Sequence, residues 1–229
     1  MSSLFEAAGM DVGAPRPLAD RLRPQSLEDV VGQDHLIGPK GPLGRMLAQG
    51  HLSSIILWGP PGTGKTTIAR LLADHVGLEF QPMSAIFSGV ADLKKIFETA
   101  RGRRATGKGT LLFVDEIHRF NRAQQDSFLP VMEDGTVTLV GATTENPSFE
   151  LNAAVLSRAQ VMVLNRLDDD AIELLLSRAE EHVGRKLPLD DDARATLRAM
   201  ADGDGRYSLN LAEEVFALGL EDVLDTNGL

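Results

Sequence analysis

Two short segments hold the residues whose types and spacing could do chemistry. The first, Gly59-Pro60-Pro61-Gly62-Thr63-Gly64-Lys65-Thr66, fits the pattern G-x-x-x-x-G-K-[ST] and runs on into Thr67. Its glycines let successive backbone N–H groups turn towards one point, and a helix starting at its end adds a positive pole, which together make an anion cradle. Lys65 can reach the outer phosphates of a nucleoside triphosphate, and Thr66 offers a hydroxyl to Mg²⁺, a hard cation that prefers oxygen. The second segment is Asp115-Glu116, which directly follows the apolar run Leu111-Leu112-Phe113-Val114. Asp115 can hold a magnesium shell while Glu116 polarises a water for in-line attack on a phosphate. An acidic turn that merely caps the next helix would explain one carboxylate but not its coincidence with the loop. Mg-ATP binding and hydrolysis are the chemistry expected of the pair.

Such a site needs a scaffold that brings two strand ends together. Residues 54–58, 80–83, 111–114, 137–142 and 161–164 are short apolar, β-rich runs alternating with helical stretches. This alternation predicts an α/β fold, a five-stranded parallel sheet covered by helices on both faces. After Arg166 the apolar residues recur only at helical spacing: Ile172, Leu175, Leu176 and Ala179, then Ala193, Leu197 and Met200, then Leu211, Val215 and Leu218. A small helical domain is expected there. The acidic runs 168–170 and 190–192 each precede such a pattern, where carboxylates cap exposed N–H groups, so they are read as helix starts and not as metal sites. Residues 1–17 have no sustained period and are expected to form a tail, followed by a core over 18–166 and the helical domain over 167–229. The last residues, 221–229, stop without an evident final element, as a truncated chain would.

The 229 residues carry a formal charge of −10, which argues against coating nucleic acid with the whole surface. Any nucleic-acid contact is expected to be local. One candidate is the basic stretch Arg101, Arg103, Arg104 and Lys108, expected as a loop after a helix ending near Ala100; another is Arg119-Phe120-Asn121-Arg122. Without cysteine there is no disulfide framework and no thiolate nucleophile, and the five histidines lack metal-ligand spacing. No apolar run approaches the roughly 20 residues that span a bilayer, so no membrane association is expected and the chain is read as soluble and intracellular.

Beyond these features the chain resembles AAA+ ATPases of the clamp-loader-like branch, in particular the replication-associated recombination protein A (RarA/MgsA) family. The likeness is carried by Leu22-Arg23-Pro24 with Val30-Val31-Gly32-Gln33-Asp34-His35-Leu36, by Asp115-Glu116-Ile117-His118-Arg119-Phe120-Asn121, and by Gly141-Ala142-Thr143-Thr144-Glu145-Asn146-Pro147-Ser148-Phe149. It implies an AAA+ core followed by a helical lid. It also implies that Val30, Val31 and Gly32 line an adenine pocket and that Thr144, with Thr143 as the alternative, is the polar sensor beside the attacking water. Arg158, after Ser157, would reach a neighbouring subunit's nucleotide, and Arg206 would contact the γ-phosphate from the same chain. Tyr207 stands where the family commonly has a second basic residue. The implied partners are DNA ends, gaps or forks, further copies of the chain, and possible single-strand-binding and sliding-clamp proteins; Ser3-Leu4-Phe5 has a faint likeness to clamp-docking motifs. The implied place is the cytoplasm, near the nucleoid.

Overall fold

The computed structural model describes residues 16–219, 223–226 and 228, so Ser3-Leu4-Phe5 lies outside the described residues. Five strands, β1 (Ile55–Trp58), β2 (Glu79–Ser84), β3 (Thr110–Asp115), β4 (Thr138–Thr143) and β5 (Gln160–Val163), form one sheet in the order β2-β3-β4-β1-β5. Every pairing is parallel, as the strand-helix alternation predicts. The central strands are buried on both faces, which is why they read as unbroken apolar runs. The edge strands β2 and β5 are largely open. Pro82 fits in β2 because an edge strand can forgo a ladder hydrogen bond.

Alternation along the central strands divides the interior in two. Ile55, Leu57, Leu111, Phe113, Val140 and Ala142 pack with Ile68 and Leu72 of the first long helix, α1 (Lys65–His75). Ile56, Leu112, Val114 and Leu139 face the other way, against Leu93 and Phe97 of α2 (Val90–Ala105) and against Phe120 and Phe128. The ring of Phe128 meets Phe97 edge-on at 5.8 Å between centroids.

The helix α2 corrects one expectation. It does not end near Ala100 but continues through Arg101, Arg103 and Arg104 to Ala105. Cations in a last turn complement the helix dipole, which offsets the cost of Gly102 inside the helix. Arg103 donates to Gln81 at 3.3 Å and Arg104 lies 3.7 Å from Asp134, so the arginines stand on an anchored helix and Lys108 lies in the loop that follows.

Three helices follow the sheet: α3 (Asp169–Val183), α4 (Asp191–Ala201) and α5 (Gly205–Ala217). Their shared core contains Ile172, Leu176, Leu197, Leu209, Ala212 and Phe216. Met200 and Leu218, placed on the apolar faces by spacing alone, are 45% and 58% exposed; the buried face of α5 runs instead through Leu209, Ala212, Val215 and Phe216. Arg194 of α4 bridges Glu173 and Glu180 of α3 at 2.7 and 2.6 Å, and Arg198 adds a bond to Glu173. Near the end of the chain, Leu224 bridges Leu189, beside the start of α4.

The acidic runs do start helices. Asp168 accepts from the Ala171 N–H at 2.8 Å and Asp190 from the Ala193 N–H at 2.7 Å. Asp168→Ala should therefore lower stability by about 1 kcal/mol, the ordinary weight of an N-cap, as a shifted urea midpoint with an unchanged slope.

The N-terminal segment belongs physically to the helical layer. Leu18 is fully buried in its core, and its backbone N–H donates to both carboxylate oxygens of Glu213 at 3.0 Å. Further on, Gln33 is buried and clasps the backbone of Asn165, donating to its carbonyl at 2.8 Å and accepting from its N–H at 3.1 Å. Residues between these anchors span from the helical layer to the end of β5.

Candidate active site

Strand order decides what meets at the C-terminal edge of the sheet. β4 lies between β1 and β3, so the loop leaving β1 and the carboxylates ending β3 flank the end of β4. Thr143 pairs with Trp58, and its carbonyl accepts from the Gly59 N–H at 3.2 Å. A cleft open to solvent sits above this edge, between the sheet and the helical layer.

The loop 59–66 folds as its sequence demands. Gly62 and Gly64 have φ of +68° and +92°, a region that L side chains rarely adopt. At Gly62 there is also no room, since a Cβ would come within 1.8 Å of an Asp204 carboxylate oxygen. From Gly64 the chain enters α1, whose first N–H groups have no intrahelical acceptors and face the cleft with the positive end of the helix dipole. Lys65 lies along the loop and donates to the Gly59 and Pro60 carbonyls at 2.7 and 2.6 Å. Burial pushes its ammonium below the ordinary lysine range, and the carboxylates of Glu116, Asp115 and Asp204 partly oppose that shift. Thr63, buried, braces the loop by donating to the Pro60 carbonyl at 2.9 Å.

The cleft has two chemically distinct ends. One is lined by Lys65, Thr66, Thr67, Asp115, Glu116, Thr144 and Arg206; the other by Ala19, Leu22, Pro24, Val30, Val31, Leu167, Leu175 and Leu209, with Arg23 among these apolar residues. Pro61, Gly62, Thr63 and Gly64 join the lining, whereas Gly59 and Pro60, expected among the nucleotide-binding residues, do not line the cleft and serve as acceptors for Lys65. Gly32 stands behind Val31 and packs on Leu167, where a Cβ would meet Cδ2 at 2.6 Å. Of the two threonines, Thr144 lines the cleft and Thr143 is buried beneath it.

Arg206 occupies the first turn of α5, where the helix dipole opposes a cation, so its place there calls for a reason other than helix stability. Asp204 offsets this by accepting from the Arg206 and Tyr207 N–H groups at 2.9 Å. Arg158 is not in the cleft: it bonds to Glu133 through Nε at 2.7 Å and to the Ala154 carbonyl at 2.9 Å.

Glu116 is held in an unusual way. Its φ of +52° is left-handed, a conformation that costs a β-carbon-bearing residue about 1–3 kcal/mol. Its Oε2 is buried without a hydrogen-bond partner, 3.3 Å from His118 Nδ1 but not aligned with it. Sequence reasoning gave His118 no role, although it lies in the segment 115–121 that carries the resemblance, and it missed Leu167, Leu175 and Leu209 as cleft wall.

Thr66 and Asp115 are both half-buried at the same end of the cleft, and two oxygen ligands from the chain suit a Mg²⁺ that keeps water and substrate oxygens in its other positions. The residues present therefore fit Mg-nucleotide.

Comparison with known proteins places these features in company. Residues 55–167 match the model of the ATPase family associated with various cellular activities (AAA). The chain is 48% identical over 203 residues to replication-associated recombination protein A of Escherichia coli K12, covering 86% of this chain and 45% of that protein. It is 42% identical to ATPase WRNIP1 of Dictyostelium discoideum over 86% of this chain and 23% of that one. The chain thus spans just under half the length of the bacterial relatives it matches. Among solved structures, the Thermotoga maritima RuvB Holliday junction branch migration motor shares the fold, with a TM-score of 0.71 at 24% identity over 90% of this chain and 70% of that one.

Proposed function

Because this chain belongs to the AAA ATPases, among relatives named replication-associated recombination protein A, we propose that it binds Mg-ATP in the cleft, hydrolyses it, and uses the cycle to remodel DNA ends, gaps or junctions at stalled or damaged replication forks. The observation that carries the nucleotide reading is the cleft's division into an apolar end, suited to a base, and an end with an N–H cradle, two cations and two carboxylates. The DNA reading is supported by the named relatives.

Each residue has a definite task in this reading. Val30, Val31 and Leu209 cover the base, with Gly32 setting the turn that lets Val31 approach. The loop N–H groups, Lys65 and Arg206 bind the phosphates, and Arg206 ties α5 to their presence. Thr66 and Asp115 hold Mg²⁺, which when bound neutralises phosphate charge. Glu116 accepts a hydrogen bond from the attacking water, and Thr144 orients it. Arg158 would exchange Glu133 for the nucleotide of an adjoining copy, adding the charge that an arginine finger supplies. Single-strand-binding and clamp proteins are candidate partners for such a role, in a cytoplasmic setting close to the nucleoid. Among the described residues no helix is long and apolar enough to cross a membrane.

Steady-state ATP hydrolysis against protein concentration, with and without forked DNA, tests this. Turnover should rise more than linearly with concentration and increase with DNA. A second reading, a nucleotide-gated scaffold in which turnover is incidental, draws on Arg158, which lies outside its own chain's cleft and is bonded to Glu133. Flat, negligible turnover despite tight ATP binding would favour it.

A further inference from the structure

The buried oxygen of Glu116 faces a nitrogen with two claimants. His118 Nδ1 lies 3.3 Å from Glu116 Oε2 and 2.9 Å from Thr143 Oγ1. Thr143 Oγ1 already accepts from the Glu145 N–H at 3.0 Å and lies 3.2 Å from the Glu145 carbonyl. A hydroxyl has one proton to give. If Thr143 donates it to His118, Nδ1 is the unprotonated nitrogen of the ring, and its lone pair cannot serve the carboxylate. If Thr143 donates to the Glu145 carbonyl instead, the ring is free to carry its proton on Nδ1 and donate it to Glu116.

The first arrangement leaves Glu116 Oε2 without a donor, as it stands here, whereas the second offers the Nδ1 proton to Glu116 Oε2 at 3.3 Å as well as to Thr143 Oγ1 at 2.9 Å. The exchange needs no movement of the backbone, because both acceptors of the Thr143 proton are already in reach. It also connects to the cleft, for Thr144, the residue between the two ends of the Thr143 turn, is the one that faces it.

We propose that His118 is a positioning residue that sets the Glu116 carboxylate according to the direction of the Thr143 hydroxyl, so that contact at Thr144 is relayed to the base. The relay rests on the reading of Glu116 as the base. With the proton on Nδ1, the imidazole fixes one carboxylate oxygen and leaves the other to accept from water. With the proton on Nε2, Glu116 is held only by its strained backbone.

Two measurements on the whole chain test the relay, one independent of turnover. In long-range ¹⁵N spectra, with five histidines to assign, His118 should be the Nε2–H tautomer, and Thr143→Val, which removes the hydroxyl but keeps the shape, should move it to Nδ1–H. In steady-state assays His118→Ala should lower kcat roughly tenfold while KM stays within about twofold, and His118→Asn, whose amide lies near the place of Nδ1, should restore most of the loss. A tautomer unmoved by Thr143→Val overturns the relay, as do equal kcat values for the Ala and Asn variants. A chain that binds ATP without any turnover would defeat the hydrolysis reading instead, and the tautomer result would still decide whether Thr143 governs His118.

Discussion

Replacing Glu116 with Gln should leave ATP bound and stop its turnover, lowering kcat by about 10²- to 10⁴-fold, the usual weight of a general base. The change is nearly isosteric and leaves the Lys65 cradle and the apolar end of the cleft untouched. What is lost is the negative charge that draws a proton from water. Stability should not fall with activity, because the variant puts a neutral amide of the same shape in place of a charged carboxylate whose buried oxygen has no partner. Fluorescent-nucleotide titration, steady-state kinetics and thermal melting on the same sample separate the three effects. Turnover surviving at the native level would mean that another group activates the water, and would remove the hydrolytic role assigned to the end of β3.

Lys65→Met should weaken ATP binding by about 10- to 100-fold, since hydrogen bonds from a charged donor contribute roughly 1.5–3 kcal/mol. Its effect on the free protein should run the other way. The folded-state pKa of Lys65 lies below the ordinary lysine value because burial disfavours the ammonium. The charged form is therefore penalised in the folded chain at neutral pH, and the penalty fades as pH rises from the folded pKa towards the unfolded one. Methionine keeps the apolar stem without the charge, so the variant should melt no lower than the parent at pH 7, with any advantage shrinking on the alkaline side. A variant markedly less stable at pH 7 would show that the bonds to the Gly59 and Pro60 carbonyls outweigh the buried charge.

The sheet was legible because its central strands are unbroken apolar runs, and the loop 59–66 because only glycine-rich backbone meets an anion in that way. Legibility failed where the deciding contact is distant in sequence. Arg101, Arg103 and Arg104 looked like a loop because Gly102 breaks the pattern, whereas Gln81 and Asp134, on other elements, give the last helical turn its anchors. Met200 and Leu218 satisfy the helical period, but the face that is buried follows from which neighbour each helix meets. Thr143 and Thr144 cannot be told apart by type; β4 ends at Thr143, which is buried, and the bend that follows places Thr144 on the cleft. His118 needed the three-dimensional meeting of β3 and β4, because nothing in its spacing names Thr143 as its partner.

The two anchors of the N-terminal segment act mechanically as a tie rod. One end is bolted to α5 through Leu18 and Glu213, the other to the end of β5 through Gln33 and Asn165, and the rod crosses the mouth of the cleft with Leu22, Pro24 and Val30 on its inner side. Rotation of the three helices over the sheet must turn that rod about its Gln33 end. Leu22 and Pro24, part-way along the rod, would be carried across the mouth with the helices, so the wall of the cleft would move together with its roof.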